Sequence, residues 1–211
     1  GYVYDKYPII REYVTNLTLV NDGGTSSYIA AFKPAFTFAT SDSQDKFPFV
    51  IKIQIFLNAS YFLNDKYFNL VVENASNTNY FPNDTTKSSL VVHELGHVIT
   101  YVAAINFYKS VNTLLLNKAD FSKYASTLNK YTSNDFSKIL VMEAYNNYSG
   151  NITLENFIKN ISGYATVIDD STGETMYNET VAEAFHDYYL HGENAAVESI
   201  LIMNVLNKYV S

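Results

Sequence analysis

His93-Glu94-Leu95-Gly96-His97 decides how the rest of the chain is read. Two histidines four apart on a helix share one face, one turn above each other. Their imidazole nitrogens can then reach one metal ion, and the glutamate beside the first histidine can take a proton from a water held there. The flanks are helical. Leu90, Val91, Leu95, Val98, Ile99 and Val102 recur at three- and four-residue steps, and Asp84, Thr85, Thr86 and Ser88 are N-cap candidates. Gly96 is a poor helix former, so its place in mid-helix predicts a close packing partner. Two neutral imidazoles, a carboxylate and an open fourth position form the catalytic arrangement of zinc, so Zn2+ is the expected ion.

A third protein ligand is required. Position 103, where a third histidine of the extended motif would fall, is Ala103, which removes the metzincin reading. The best source is Tyr177-Asn178-Glu179-Thr180-Val181-Ala182-Glu183-Ala184-Phe185. Glu179 and Glu183 share a helix face, where like charges repel unless a cation or donors sit opposite. Either glutamate can bind the metal, while the other accepts the second ring N–H of a ligand histidine. Glu143 and Glu155 are rivals, each isolated and more simply read as helix surface or first-turn acid. His186 and His191 lie towards the end of this second helix and read as structural, solvated or facing the helix dipole.

The pair V-V-H-E-L-G-H-V and N-E-T-V-A-E-A-F-H-D-Y-Y resembles the zinc peptidase domain shared by anthrax lethal factor and the secreted bacterial Pro-Pro endopeptidases. The resemblance covers residues 88–190; the N-terminal strands show none. It implies a zincin-like fold with zinc on His93, His97 and Glu179, Glu94 as general base, and Glu183 in support. It also implies a tyrosine whose hydroxyl helps to bind the tetrahedral oxyanion. The family position for that tyrosine is Thr172 here, a departure. Ile161-Ser162-Gly163-Tyr164-Ala165 is similar to the family's context for it, with the intervening loop lengthened by Asp169–Glu174. Tyr164 is therefore the expected residue and Tyr177 the alternative.

The remaining chain reads as strands followed by helices, an α+β class with an N-terminal mixed sheet in one domain, 1–84 mainly strands and 85–211 mainly helices. Tyr13–Val20 reads as a strand, Asn21-Asp22-Gly23-Gly24 as a turn, and Tyr28–Ala39 as a returning strand interrupted at Pro34. Residues 40–46 read as loop. Phe49–Leu57 is the clearest strand, with Phe49, Ile51, Ile53, Ile55 and Leu57 on one face. Asn64-Asp65 reads as a turn and Tyr67–Val72 as a short strand. Phe68–Glu73 is then an edge strand able to pair with an extended substrate. The echoed Asp120-Phe121-Ser122-Lys123 and Asp135-Phe136-Ser137-Lys138 predict helices at 120–131 and 135–147, each opened by its aspartate. Thr153 caps a short helix, 162–175 is loop, and helices follow at 177–190 and 193–209.

Composition narrows the function. The 211 residues are 47% hydrophobic and 17% charged, which makes a folded globular chain. A net charge of −7 argues against a nucleic-acid footprint or a polybasic membrane surface. With no cysteine, thiol catalysis and a disulfide framework are excluded together. No apolar run approaches a membrane span; Leu114–Leu116 and Ile139–Met142 are far too short. No signal peptide is visible, and the opening at Gly1 leads us to expect a processed or trimmed chain. Eight Asn-x-Ser/Thr sites, at Asn16, Asn58, Asn74, Asn83, Asn147, Asn151, Asn160 and Asn178, together with the tyrosine richness, suggest a secreted or cell-surface glycoprotein. We therefore expect a secreted zinc endopeptidase acting on a protein or peptide substrate. The alternative is an extracellular binding or structural protein with a peptidase fold and little activity.

Overall fold

The computed structural model describes residues 2–21, 23, 28–38, 49–111 and 134–210. The expected helix at 120–131, the loop at 40–46 and the chain at 112–117 lie outside them. The class is α+β: a small mixed sheet of three strands and a helical majority.

The N-terminal residues form two short helices, α1 (Tyr2–Lys6) and α2 (Ile10–Tyr13). Strands β1 (Val14–Val20), β2 (Ala30–Phe38) and β3 (Phe49–Asn58) follow, in the spatial order β1-β3-β2. β2 does not pair with β1, as a hairpin turn at 21–24 would have required; residues 22 and 24 of that expected turn lie outside the described residues. β1 runs parallel to β3, with Leu17 opposite Ile55, and β2 runs antiparallel to β3, with Pro34 opposite Ile53. The central place goes to β3, whose Ile51, Ile53, Ile55 and Leu57 are all buried. Pro34 does not interrupt β2. It has no N–H to donate, and β2 is an edge strand among the described residues.

The expected strand at Tyr67–Val72, and with it the substrate-pairing edge at Phe68–Glu73, is instead part of a helix. α3 (Ala59–Phe62) leads into α4 (Asp65–Asn77). Asn64 is not a turn residue but the N-cap of α4, its side chain accepting the Tyr67 N–H at 3.0 Å. Asp65 is the first-turn acid, and Phe68 and Val72, one helical turn apart, are the buried pair. Among the described residues, the segment up to 84 is thus strand and helix mixed, not mainly strand.

α5 (Lys87–Val111) opens with a reciprocal cap: Thr86 Oγ1 accepts the Ser89 N–H, and Ser89 Oγ accepts the Thr86 N–H. Its segment Lys87–Phe107 is long and apolar enough to cross a membrane by length and composition, unlike any uninterrupted apolar run. Most of it is buried inside the protein, as the central helix of the core. α6 (Phe136–Asn146) and α7 (Leu154–Lys159) follow. Asp135 occupies the N-cap position of α6 without a side-chain cap bond, and Phe136 is buried as expected. Thr153 caps α7 by accepting the Asn156 N–H. A 3-10 turn at Tyr164–Thr166 precedes α8 (Tyr177–His191), and α9 (Val197–Val210) ends the described chain. One main core joins β3, α5, α6, α8 and α9; a satellite core of Phe68, Val72, Phe81 and Leu90 ties α4 to the start of α5.

Gly96 has the close partner its mid-helix place predicts. A Cβ there would lie 3.1 Å from Ala182 Cα and 3.1 Å from Phe185 Cβ, both on α8. Gly96→Val should therefore push α5 and α8 apart and lower stability by about 2 kcal/mol, despite the better helix propensity. Denaturant unfolding measures this, and unchanged stability would show that the helices do not need the contact.

Candidate metal centre

The contact at Gly96 brings the polar faces of α5 and α8 together. From α5 come His93, Glu94 and His97; from α8 come Glu179 and Glu183. His93, Glu94, His97 and Glu183 are buried, and Glu179 nearly so. Three atoms converge. His93 Nε2 lies 3.2 Å from His97 Nε2 and 3.2 Å from Glu179 Oε2, and His97 Nε2 lies 3.3 Å from Glu179 Oε2. An ion about 2 Å from each of three ligands in tetrahedral array needs ligand–ligand edges of about 3.3 Å. The triangle has that size.

Hydrogen bonding makes the same demand. His93 Nδ1 donates to Glu183 Oε1 at 2.7 Å. In a neutral imidazole the Nε2 lone pair then points at the Glu179 carboxylate, acceptor against acceptor. A cation must stand between them, either a proton on the ring or a metal ion. Without metal the proton takes that place. Burial disfavours charge on His93, but hydrogen bonds to Glu179 and Glu183 outweigh it and raise its pKa well above the ordinary 6.5. Burial also works against charge on Glu179, yet His97 and His93 hold its carboxyl far below the usual range. This buried cluster of His93, His97 and Glu179, with Glu183 and His186 behind it, could hold a metal ion.

Glu183 is the hub of that inner layer. It is fully buried. Its Oε2 accepts from Ser162 Oγ at 2.6 Å, and its Oε1, already bonded to His93, is also 3.5 Å from His186 Nδ1. His186 is not a solvated helix-end residue: it is fully buried in mid-helix, and its Nε2 has no hydrogen-bond partner among the described residues. His191 does lie at the helix end, bonded through Nδ1 to Asp187 Oδ1 at 2.7 Å. The rival ligands are elsewhere. Glu143 pairs with Lys208 at 2.7 Å, and Glu155 is exposed in the first turn of α7.

Of the two tyrosines, Tyr164 is the one at the cluster. Its ring lies 5.7 Å from that of His93, and it lines the same cleft as His93 and Glu94. Tyr177 opens α8 inside the main core, under the ammonium of Lys138. Burial, then the charge of Glu179, raises the pKa of Tyr164, so its hydroxyl keeps its proton. Glu94 is also raised, chiefly by burial, with the two histidines opposing.

Three neighbours were not singled out from sequence. Ser162 ties the tyrosine turn to α8: it bonds Glu183 and accepts the Ala165 N–H at 3.1 Å. Tyr80 packs its ring 5.4 Å from Tyr164, and its backbone carbonyl accepts the Tyr164 N–H at 2.8 Å. Phe32 of β2 stacks on His97, with ring centroids 5.5 Å apart and planes 17° from parallel. Ser162, two residues before Tyr164, was visible as part of the S-x-Y context; Tyr80 and Phe32 carry no local signal. No family model, curated protein or solved structure matches this chain.

The buried pair sets a pH signature for the metal-free protein. Burial alone would raise Glu183, but bonds from His186 and His93 outweigh it and hold the carboxyl at about 2, below the ordinary 4.5. Its contribution to stability is present above pH 4.5 and is lost as pH falls toward 2. The raised His93 contributes fully below pH 6.5 and loses its contribution as pH rises through its folded-state pKa. Chelator-treated protein should therefore draw most stability from this pair between pH 4.5 and 6.5. Denaturant unfolding across pH should show both limbs, and Glu183→Gln should flatten the acid one; an unchanged acid limb would refute the ion pair.

Proposed function

We propose that this chain is a zinc-dependent endopeptidase with a zincin-like fold of the lethal factor and Pro-Pro endopeptidase type, acting on a protein or peptide substrate. The observation that carries this reading is the triangle of His93 Nε2, His97 Nε2 and Glu179 Oε2, with edges of 3.2 to 3.3 Å, one corner of which, His93, lines a cleft together with Glu94 and Tyr164. Two imidazoles and one carboxylate with an open side are a catalytic rather than a structural zinc set. Bound there, zinc supplies Lewis acidity toward a water molecule and a substrate carbonyl.

The chain's own groups do the rest. Glu94, buried beside both histidines, takes the proton of the attacking water and delivers it to the leaving amine. Its raised pKa suits a group that must both accept and return a proton. Tyr164 keeps its hydroxyl proton and donates a hydrogen bond to the oxyanion that forms on the scissile carbonyl. Glu183 fixes the tautomer of His93, leaving Nε2 free as a ligand. Secretion is the matching location. Asn16, Asn74, Asn83, Asn147, Asn151 and Asn160 are exposed, as glycan acceptors must be, whereas Asn58 is buried and Asn178 is half-buried beside Glu179.

Metal analysis and peptide cleavage test the proposal together. Wild type should carry about one zinc per chain, and Glu179→Ala much less. Glu94→Gln should keep the metal and lose activity by about 10²- to 10⁴-fold. Tyr164→Phe should keep the metal and lose about 10²-fold in kcat. Full activity in Glu94→Gln, or undiminished zinc in Glu179→Ala, would sink the assignment of these roles.

A further inference from the structure

A cleft of about 320 Å³ opens directly beside His93 and Glu94. Its size suits one large side chain with its backbone. Tyr80, Phe81 and Tyr164 make one aromatic wall, with ring centroids 5.3 to 5.9 Å apart. Tyr61, Val71 and Ala75 belong to the α3–α4 side, and Tyr28, Ile29 and Ala30 to the strand side. Among the described residues, His93 and Glu94 are the titratable groups other than tyrosine that line it. The satellite core of Phe68, Val72, Phe81 and Leu90 lies behind it, so the cleft has a packed support.

We propose that this cleft is the specificity pocket, and that it takes a large uncharged aromatic side chain from the substrate residue next to the scissile bond. The inference rests on the peptidase reading. Each competing class meets a physical objection. An acidic side chain would enter beside Glu94 and near Glu179, and among the described lining residues no lysine or arginine would pair it. A basic side chain would lose its hydration, because among the described lining residues the one carboxylate is Glu94, which is buried and occupied with proton transfer. A small side chain would leave the aromatic wall uncovered. An aromatic ring covers it and meets Tyr80, Phe81 and Tyr164 at ring-to-ring distance. Ala75 on α4 and Ala30 on β2 are the small residues that leave the room.

The test is a digest of an unstructured peptide mixture, carrying every residue type around a central position, by zinc-loaded protein, with cleavage sites mapped by mass spectrometry. Phe or Tyr should be favoured over Ala next to the cut bond by about 10-fold or more. Ala75→Phe, which fills the cleft without touching the metal ligands, should reverse that preference toward small residues while zinc content and Tm stay level. If Ala75→Phe lowers Tm, Tyr61→Ala replaces it and should weaken the aromatic preference. Calorimetry on the zinc-loaded protein supplies a readout that needs no turnover: phenylpropanoyl hydroxamate should bind about 10-fold or more tighter than acetohydroxamate, and Ala75→Phe should erase the difference. Aromatic preference in binding without any peptide cleavage would overturn the peptidase reading and uphold the pocket. Cleavage beside charged or small residues, a profile unmoved by both variants, or equal binding of the two hydroxamates would overturn the pocket.

Discussion

The close approach of α5 to α8 at Gly96 is the constraint on which the site depends. A Cβ at residue 96 would meet Ala182 Cα and Phe185 Cβ at 3.1 Å, so any side chain there would force the helices to give by a few tenths of an ångström. His93 and His97 stand on either side of that point on α5. Glu179 and Glu183 stand on either side of Ala182 on α8. The four polar groups therefore meet because two spacings and two small residues agree: one turn between the histidines, one turn between the glutamates, and a small residue between each pair. Wider separation would take from the two histidines and the two carboxylates their contacts with one another, a far worse outcome than a looser core.

Burial of so much charge is tolerable because the groups are layered. Glu183, the deepest, is bonded by Ser162 and His93 and is close to His186. That arrangement uses its oxygens for orientation and leaves the outer nitrogen of His93 aimed at Glu179. Glu179 is slightly more open and keeps one oxygen toward both histidines, while the other accepts from Asn178 Nδ2 at 3.2 Å. The two glutamates thus differ in what surrounds them, not in chemistry. Sequence spacing alone could not tell them apart; the structure sets Glu179 against both Nε2 atoms and Glu183 behind His93.

Much of the helical half was legible in the sequence because its signals are local. The apolar period around His93, the glycine at 96 and the cap at Thr153 each act within one or two turns. β3 was legible for the same reason, as isoleucines at alternate positions can bury only one face. The misreadings came where a local signal has two meanings. Asn64-Asp65 serves a turn or a helix start equally well, and the choice was decided by Phe68 and Val72, which pack one turn apart against Phe81 and Leu90. The turn at 21–24 was likewise real in composition, but strand pairing is settled by which strand has the most apolar face to bury, and that is β3. His186 reads as a helix-end residue in sequence because its burial depends on α5, not on its neighbours along the chain.

Tyr164 stands beside His93 although it is distant from α8 along the chain. Tyr164 lies fifteen residues before Glu179, too far for one helical turn or a tight loop to hold them together. The intervening chain closes on itself instead. Ile168 bridges Thr175, the Asp169 N–H donates to the Glu174 carbonyl, and the Met176 N–H donates to the Val167 carbonyl at 2.8 Å. Gly173 supplies the positive φ of +71° that the reversal needs. The hairpin therefore enters and leaves at nearly one point, and its added length is spent outward into solvent. The tyrosine turn is then fixed from both sides. Ser162 bonds Glu183 and Thr180 donates to the Ala165 carbonyl at 2.7 Å, while Gly163 and Tyr164 donate to the carbonyls of Asn79 and Tyr80. Gly163 must stay small there, since a Cβ would meet Tyr80 Cα at 3.1 Å. The same bonds that seat Tyr164 beside His93 also seat Tyr80 beside Tyr164, so the aromatic wall of the cleft and the histidine cluster are built as one unit.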